Sequence, residues 1–126
     1  MDFALSRRAG ELQARLLDFM NSHVYPAEPV YAAQMAASGD PSFHPPIVEE
    51  LKAAARQRGL WNLFLPDDEW GAGVSVLDYA PLAEITGRSP NLAPEALNCA
   101  APDTGNMEIL TMFGTPEQKE QWLRPL

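Results

Sequence analysis

The stretch "ALNCAAPDTGNMEIL" gathers Asn98, Cys99, Asp103, Thr104 and Asn106 among apolar residues. Each type has a chemistry: amides orient polar ligands, a thiolate attacks carbon or sulfur, and a carboxylate moves protons. Asp103 also has a sufficient structural use as the N-cap of the helix that follows. Cys99 has no base near it in sequence and reads as a small apolar core residue. Asn98 is harder to assign to structure. Asn is a mediocre helix former, yet the stretch reads as helical and interior, so Asn98 is the candidate here for facing a ligand pocket, beside the plainer reading of a polar helix residue.

The other candidates reduce to structure. His23 closes the first helix, where a cation suits the dipole, and His44 lies in a Pro-rich loop; neither has a Cys, Asp or Ser at catalytic spacing. The acidic runs "DDEW" and "VEE" read as a charged turn and a solvated helix end rather than an acid–base pair. The glycines of "EWGAGVS" follow no strand and match neither the dinucleotide fingerprint nor the phosphate loop, so they read as a turn. No Cys/His spacing suggests zinc. Chemistry alone leaves these residues without a complete active site.

The elements that must position them are helices. Leu5, Ala9, Leu12, Leu16, Phe19 and Met20 recur on one face of a helix expected over 3–24. Pro26 and Pro29 then mark a break or the first turn of a second helix, which runs to Gly39. "PPIVEELKAAARQRG" carries Pro and Glu at its start and Arg before a closing Gly, the order the helix dipole favours. Ser75 and Asp78 open a fourth helix in which Pro81 fits poorly. "PNLAPEALNCAA" reads as a further helix, "PDTGNMEILTMFG" as another, stopped by Gly114. Thr115, Pro116 and Gln118 make a capping box. "GLWNLFLP" is the nearest approach to a strand, and it is short. The expected fold is all-α, an orthogonal or up-and-down bundle of about six or seven helices.

The chain's 126 residues, 46% of them hydrophobic, suffice for one domain with a real core. Nine Lys and Arg against seventeen Asp and Glu give a net charge of −8. That excludes nucleic acid as the natural partner, and no polybasic run addresses an anionic membrane. The single Cys99 makes a reducing, cytoplasm-like compartment the default. Without a signal-peptide core or a run of about 18 apolar residues, a soluble intracellular protein with no membrane span is expected.

Two longer phrases carry a resemblance. "ARQRGLWNLFLPDDEWGAGVSVLDYAPLAEITGRSP" resembles a passage in the N-terminal helical domain of acyl-CoA dehydrogenases: a Gly-Leu apolar segment, a Leu-Pro, a Gly-rich turn and an acidic helix. "FGTPEQKEQWLRPL" is similar to the family's Phe-Gly-Thr/Ser-x-Glu-Gln-Lys-x-x-Trp/Tyr-Leu sequence. Together they cover the chain from about the third helix to its end. "ALNCAAPDTGNMEIL" is similar to the branch whose animal members are fused to kinase-like and hydrolase-like domains, associated with longer or hydroxylated acyl-CoA substrates. One departure is that many relatives have adjacent glycines where this chain has Trp70, Gly71, Ala72 and Gly73.

The resemblance implies that residues 1–126 are the helical first part of a three-part flavoenzyme, with a central β-domain and a C-terminal helical domain outside this chain. The implied reaction is FAD-dependent oxidation of the Cα–Cβ bond of a medium- to long-chain acyl-CoA to trans-2-enoyl-CoA. Electron-transfer flavoprotein or a similar acceptor, and a homodimer or homotetramer, are implied as partners. The family's glutamate base and its flavin-contacting motif fall on no residue here, so no catalytic, cofactor-binding or metal residue is expected, and this part alone is expected to be inactive. Relatives place the acyl-pocket wall in the segment from Leu97, which on this chain gives Asn98, Cys99, Asp103 and Asn106. An acyl-CoA oxidase or flavin monooxygenase of the same fold, or a non-catalytic helical interaction module, are the alternatives. A piece of a larger enzyme is expected to bare an apolar patch near its last helices, with Trp122 and Leu123 on it.

Overall fold

A computed structural model describes residues 4–126, so the first residue of the helix expected over 3–24 lies outside the described residues. The Ser6 hydroxyl accepts the Ala9 N–H at 3.1 Å and starts α1 (Arg7–Phe19). That cap leaves Leu5 in front of the helix and exposed, not on its apolar face. Ala9, Leu12, Leu16 and Phe19 form the buried stripe, as their spacing requires.

Pro26 does not break the helix. A wide π turn, Met20–Val24, carries α1 into α2 (Tyr25–Ser38), and the Tyr25 N–H closes it on the Met20 carbonyl. Pro26 then lies at the start of α2, where its missing N–H is least costly. His23 sits inside this turn rather than at a helix end, its ring stacked on Phe19 with centroids 5.1 Å apart. α2 stops at Gly39, which takes the left-handed conformation at φ 65° that glycine adopts freely.

α3 (Pro46–Gln57) begins and ends with the expected signals, and α4 (Val76–Thr86) begins on Ser75, whose hydroxyl accepts the Asp78 N–H. The reciprocal half of that box is missing because the Asp78 carboxylate accepts the Ser6 N–H instead, tying α4 to the start of α1. α4 keeps Pro81 in its interior. The helix expected over "PNLAPEALNCAA" shrinks to α5 (Ala93–Ala96). Asn98 consequently lies beyond it, in a left-handed turn at φ 56°, and not in mid-helix. α6 (Asp103–Phe113) follows a cis Ala101–Pro102 bond. Pro102, not Asp103, occupies the N-cap, so the Asp103 carboxylate is the first helical side chain and meets the dipole rather than a cap N–H.

α7 (Pro116–Gln118) runs into a second π turn, Lys119–Leu123. Its capping box is complete: the Gln118 N–H reaches the Thr115 hydroxyl at 3.3 Å, and the Gln118 amide oxygen accepts the Thr115 N–H at 2.9 Å. Thr115→Ala is expected to lower stability by about 1 kcal/mol, read as a shifted urea midpoint with unchanged slope.

The described residues form an all-α fold with no strand. α1 packs against α4, α3 against α5, and α2 against α3. Their shared core joins Leu12, Leu16, Phe19 and Met20 to Leu51, Leu60, Leu82, Ile85 and Leu97. α6 and the chain after it pack against one another at one end of this core.

Candidate functional site

At that end the surface turns apolar. Ile109, Met112, Phe113 and Trp122 are 61, 71, 75 and 56% exposed, although each is a residue that ordinarily buries. Leu123 does not join them: it points inward and is buried. Between α6 and the final turn, residues 119–126, runs an open groove of about 600 Å³. Ile109, Leu110, Trp122, Pro125 and Leu126 line it, and Asn106 and Gln121 are its polar members.

Of the four residues singled out in the sequence, Asn106 lines this groove. Asp103 stands three residues earlier on α6, exposed at the helix start, on the same side of the helix as Asn106. Asn98 and Cys99 are part-buried and do not line it. The Asn98 side-chain nitrogen donates to the Leu126 carbonyl at 2.9 Å and to the side-chain oxygen of Asn62 at 2.7 Å. Sequence reasoning missed Asn62. Its signal was a single amide in the apolar run "GLWNLFLP".

Cys99 packs against the core beside Tyr79. Burial pushes its thiol above the ordinary range; a hydrogen bond from Tyr79 opposes this, and the Glu95 charge adds to it. Burial likewise raises the Tyr79 hydroxyl, with Cys99 reinforcing the shift. Both groups are therefore neutral near pH 7, and Cys99 is a poor nucleophile there. Its alkylation by iodoacetamide is expected to be slow at pH 7.5 and to inflect above the ordinary thiol value of about 8.5, as followed by mass spectrometry across pH.

Arg124 directly follows the second π turn. Its guanidinium makes two bonds to Glu120, 2.5 and 2.6 Å long, and lies 4.9 Å over the Trp70 ring. The described residues offer no group of three His, Cys, Asp or Glu side chains able to hold a metal ion, and none of their helices is long and apolar enough to cross a membrane. The groove has no cation among its lining residues to meet a pyrophosphate. In the Gly71–Gly73 turn, the Leu65 backbone fills the space of a Cβ at Gly71 and the Asp68 carboxylate that of a Cβ at Gly73.

Fold and groove together define an all-helical chain with an apolar face between α6 and the segment that follows it. The comparison with known proteins makes this specific. The acyl-CoA dehydrogenase N-terminal domain matches residues 7–126, and the chain belongs to the acyl-CoA dehydrogenase family. It is 59% identical over its whole length to the probable acyl-CoA dehydrogenase FadE2 of Mycobacterium tuberculosis, of which it covers 30%. Mouse acyl-CoA dehydrogenase family member 11 is 49% identical over 98% of this chain and is covered to 16%. A solved Mycobacterium abscessus chain assigned to the acyl-CoA dehydrogenases superposes with a TM-score of 0.83 at 47% identity, over 97% of this chain and 32% of that one. The chain thus spans about a third or less of the length of these relatives.

Proposed function

We propose that this chain is the helical part of an FAD-dependent enzyme that oxidises the Cα–Cβ bond of a medium- to long-chain acyl-CoA to trans-2-enoyl-CoA. The apolar groove on α6, in a chain that matches this family from Arg7 onward, carries the reading. An acyl chain needs a dry apolar wall with few polar groups, and that is the composition of the groove. In this reading Asn106 and Asp103 edge the wall, and Asn98 and Cys99 support it without lining it.

The domain closes the pocket, excludes water and limits chain length. The glutamate that takes the α-proton belongs to a C-terminal helical domain, and FAD, held mainly by that domain and a central β-domain, supplies the hydride acceptor. Transfer of electrons to electron-transfer flavoprotein or a similar acceptor, homo-oligomeric assembly and a cytoplasmic location belong to the same reading.

The test is the visible spectrum of the protein made from its complete reading frame, before and after anaerobic addition of palmitoyl-CoA. A flavin band that bleaches supports the dehydrogenase half-reaction. A well-folded product without flavin, or a flavin band indifferent to acyl-CoA of every length, overturns it.

A further inference from the structure

Among the described residues, only two other than glycine have positive φ, and they touch. Asn62 and Asn98, 36 positions apart, both take φ 56°, and their side-chain amides are hydrogen-bonded at 2.7 Å. Asn tolerates the left-handed region better than most residues, which explains one such turn at a time. It does not explain the pairing. Glycine would satisfy either backbone at lower cost, so the amides themselves have a use.

Their hydrogen bonds show what they join. The Asn62 N–H donates to the Leu97 carbonyl at 3.2 Å, and its side-chain nitrogen donates to the Trp70 carbonyl at 3.2 Å. The Asn98 side-chain nitrogen reaches the Leu126 carbonyl at 2.9 Å and the Met107 sulfur at 3.7 Å. Met107 is fully buried and adjoins Asn106 on α6. Two amides thus connect the glycine-rich turn, the exit of α5, the inner face of α6 and the final turn. Two of those four segments, α6 and the final turn, are the walls of the groove.

We infer that Asn62 and Asn98 are positioning residues: their paired amides set the distance between α6 and the final turn, and so the bore of the groove. For the acyl chain this inference rests on the functional reading above; for the spacing of the two walls it stands alone. Part-buried amide networks act as units, so losing either partner should release both.

The test uses Asn62→Gly, Asn98→Gly and the double variant in the full-length protein. Glycine keeps the left-handed turn and deletes the amide, so Asn98→Gly is expected to lower the thermal midpoint less than Asn98→Ala, which loses both. Amide hydrogen exchange is expected to quicken in α6 and residues 119–126 and to stay unchanged in α1. KM for palmitoyl-CoA is expected to rise about tenfold with kcat within about twofold, and the double variant to be no worse than either single one. Should the glycine variant fail to accumulate, Asn98→Asp keeps the shape, removes the donor and is expected to give the same local exchange pattern. Unchanged exchange, exchange quickened uniformly through the domain, or additive effects of the two substitutions would overturn the inference. Because exchange needs no substrate, it decides the wall spacing even if the wild-type flavin spectrum has already excluded acyl-CoA.

Discussion

Phe19→Ala is expected to cost this domain about 3–5 kcal/mol, the range for emptying a large aromatic site in a packed core. Phe19 is fully buried between Leu16 and Met20 on the α1 stripe and also stacks on His23 across the π turn. Removing the ring therefore opens a cavity and frees the turn that joins α1 to α2. Domains of this size are stable by about 5–15 kcal/mol in all, so that loss is a large share of the total. Leu5→Ala, at an exposed position ahead of the helix, should stay within about 0.5 kcal/mol of wild type. Urea unfolding followed by far-ultraviolet ellipticity checks both, and equal losses for the two would contradict the burial described here.

The second large effect sets two glycines against each other. A Cβ on Gly71 would stand 2.7 Å from the Cβ of Leu65 and closer still to its carbonyl oxygen. Backbone does not swing aside as a side chain can, so Gly71→Ala is expected to cost about 3 kcal/mol or more. It should also shift Trp70, whose carbonyl receives the Asn62 amide and whose ring lies under Arg124. Gly10 lies inside α1 with nothing within 4 Å of an added Cβ. There the same substitution should stabilise by about 0.5–1 kcal/mol, because alanine loses less backbone freedom in a helix. Opposite signs in parallel urea titrations are the expected result; two destabilised variants would show that α1 has a neighbour at Gly10.

The helices were legible because their signals are local. The caps on Ser75 and Thr115, the glycine stop at Gly39 and the stripe through Leu12 and Leu16 depend on residues a few positions apart. What escaped was set by distance. Whether Pro26 breaks a helix or enters one depends on the turn before it, and a π turn leaves no clear mark in sequence. Asp103 lost its capping role to Pro102, since the chain had already curled into the helix one residue earlier. Asn98 stood out as a polar residue in an apolar stretch, but it lies in a turn and not in mid-helix, and its amide pairs with Asn62, 36 positions away. Family membership was visible in two long phrases, while the groove needed α6 and the final turn to be brought together.

The π turn at Met20–Val24 bears on how this chain tolerates insertion and deletion. An α-helix advances its side chains by about 100° per residue, so removing one residue from the middle of α1 would swing Leu16 and Phe19 out of the core. A π turn holds one residue more than an α turn. A single deletion between Met20 and Val24 would tighten it to ordinary α geometry, with α1 and α2 each keeping its own phase. The two helices are therefore joined by a slack link, the one place along this 32-residue helical run, Arg7 to Ser38, where length can change without turning a buried face to water.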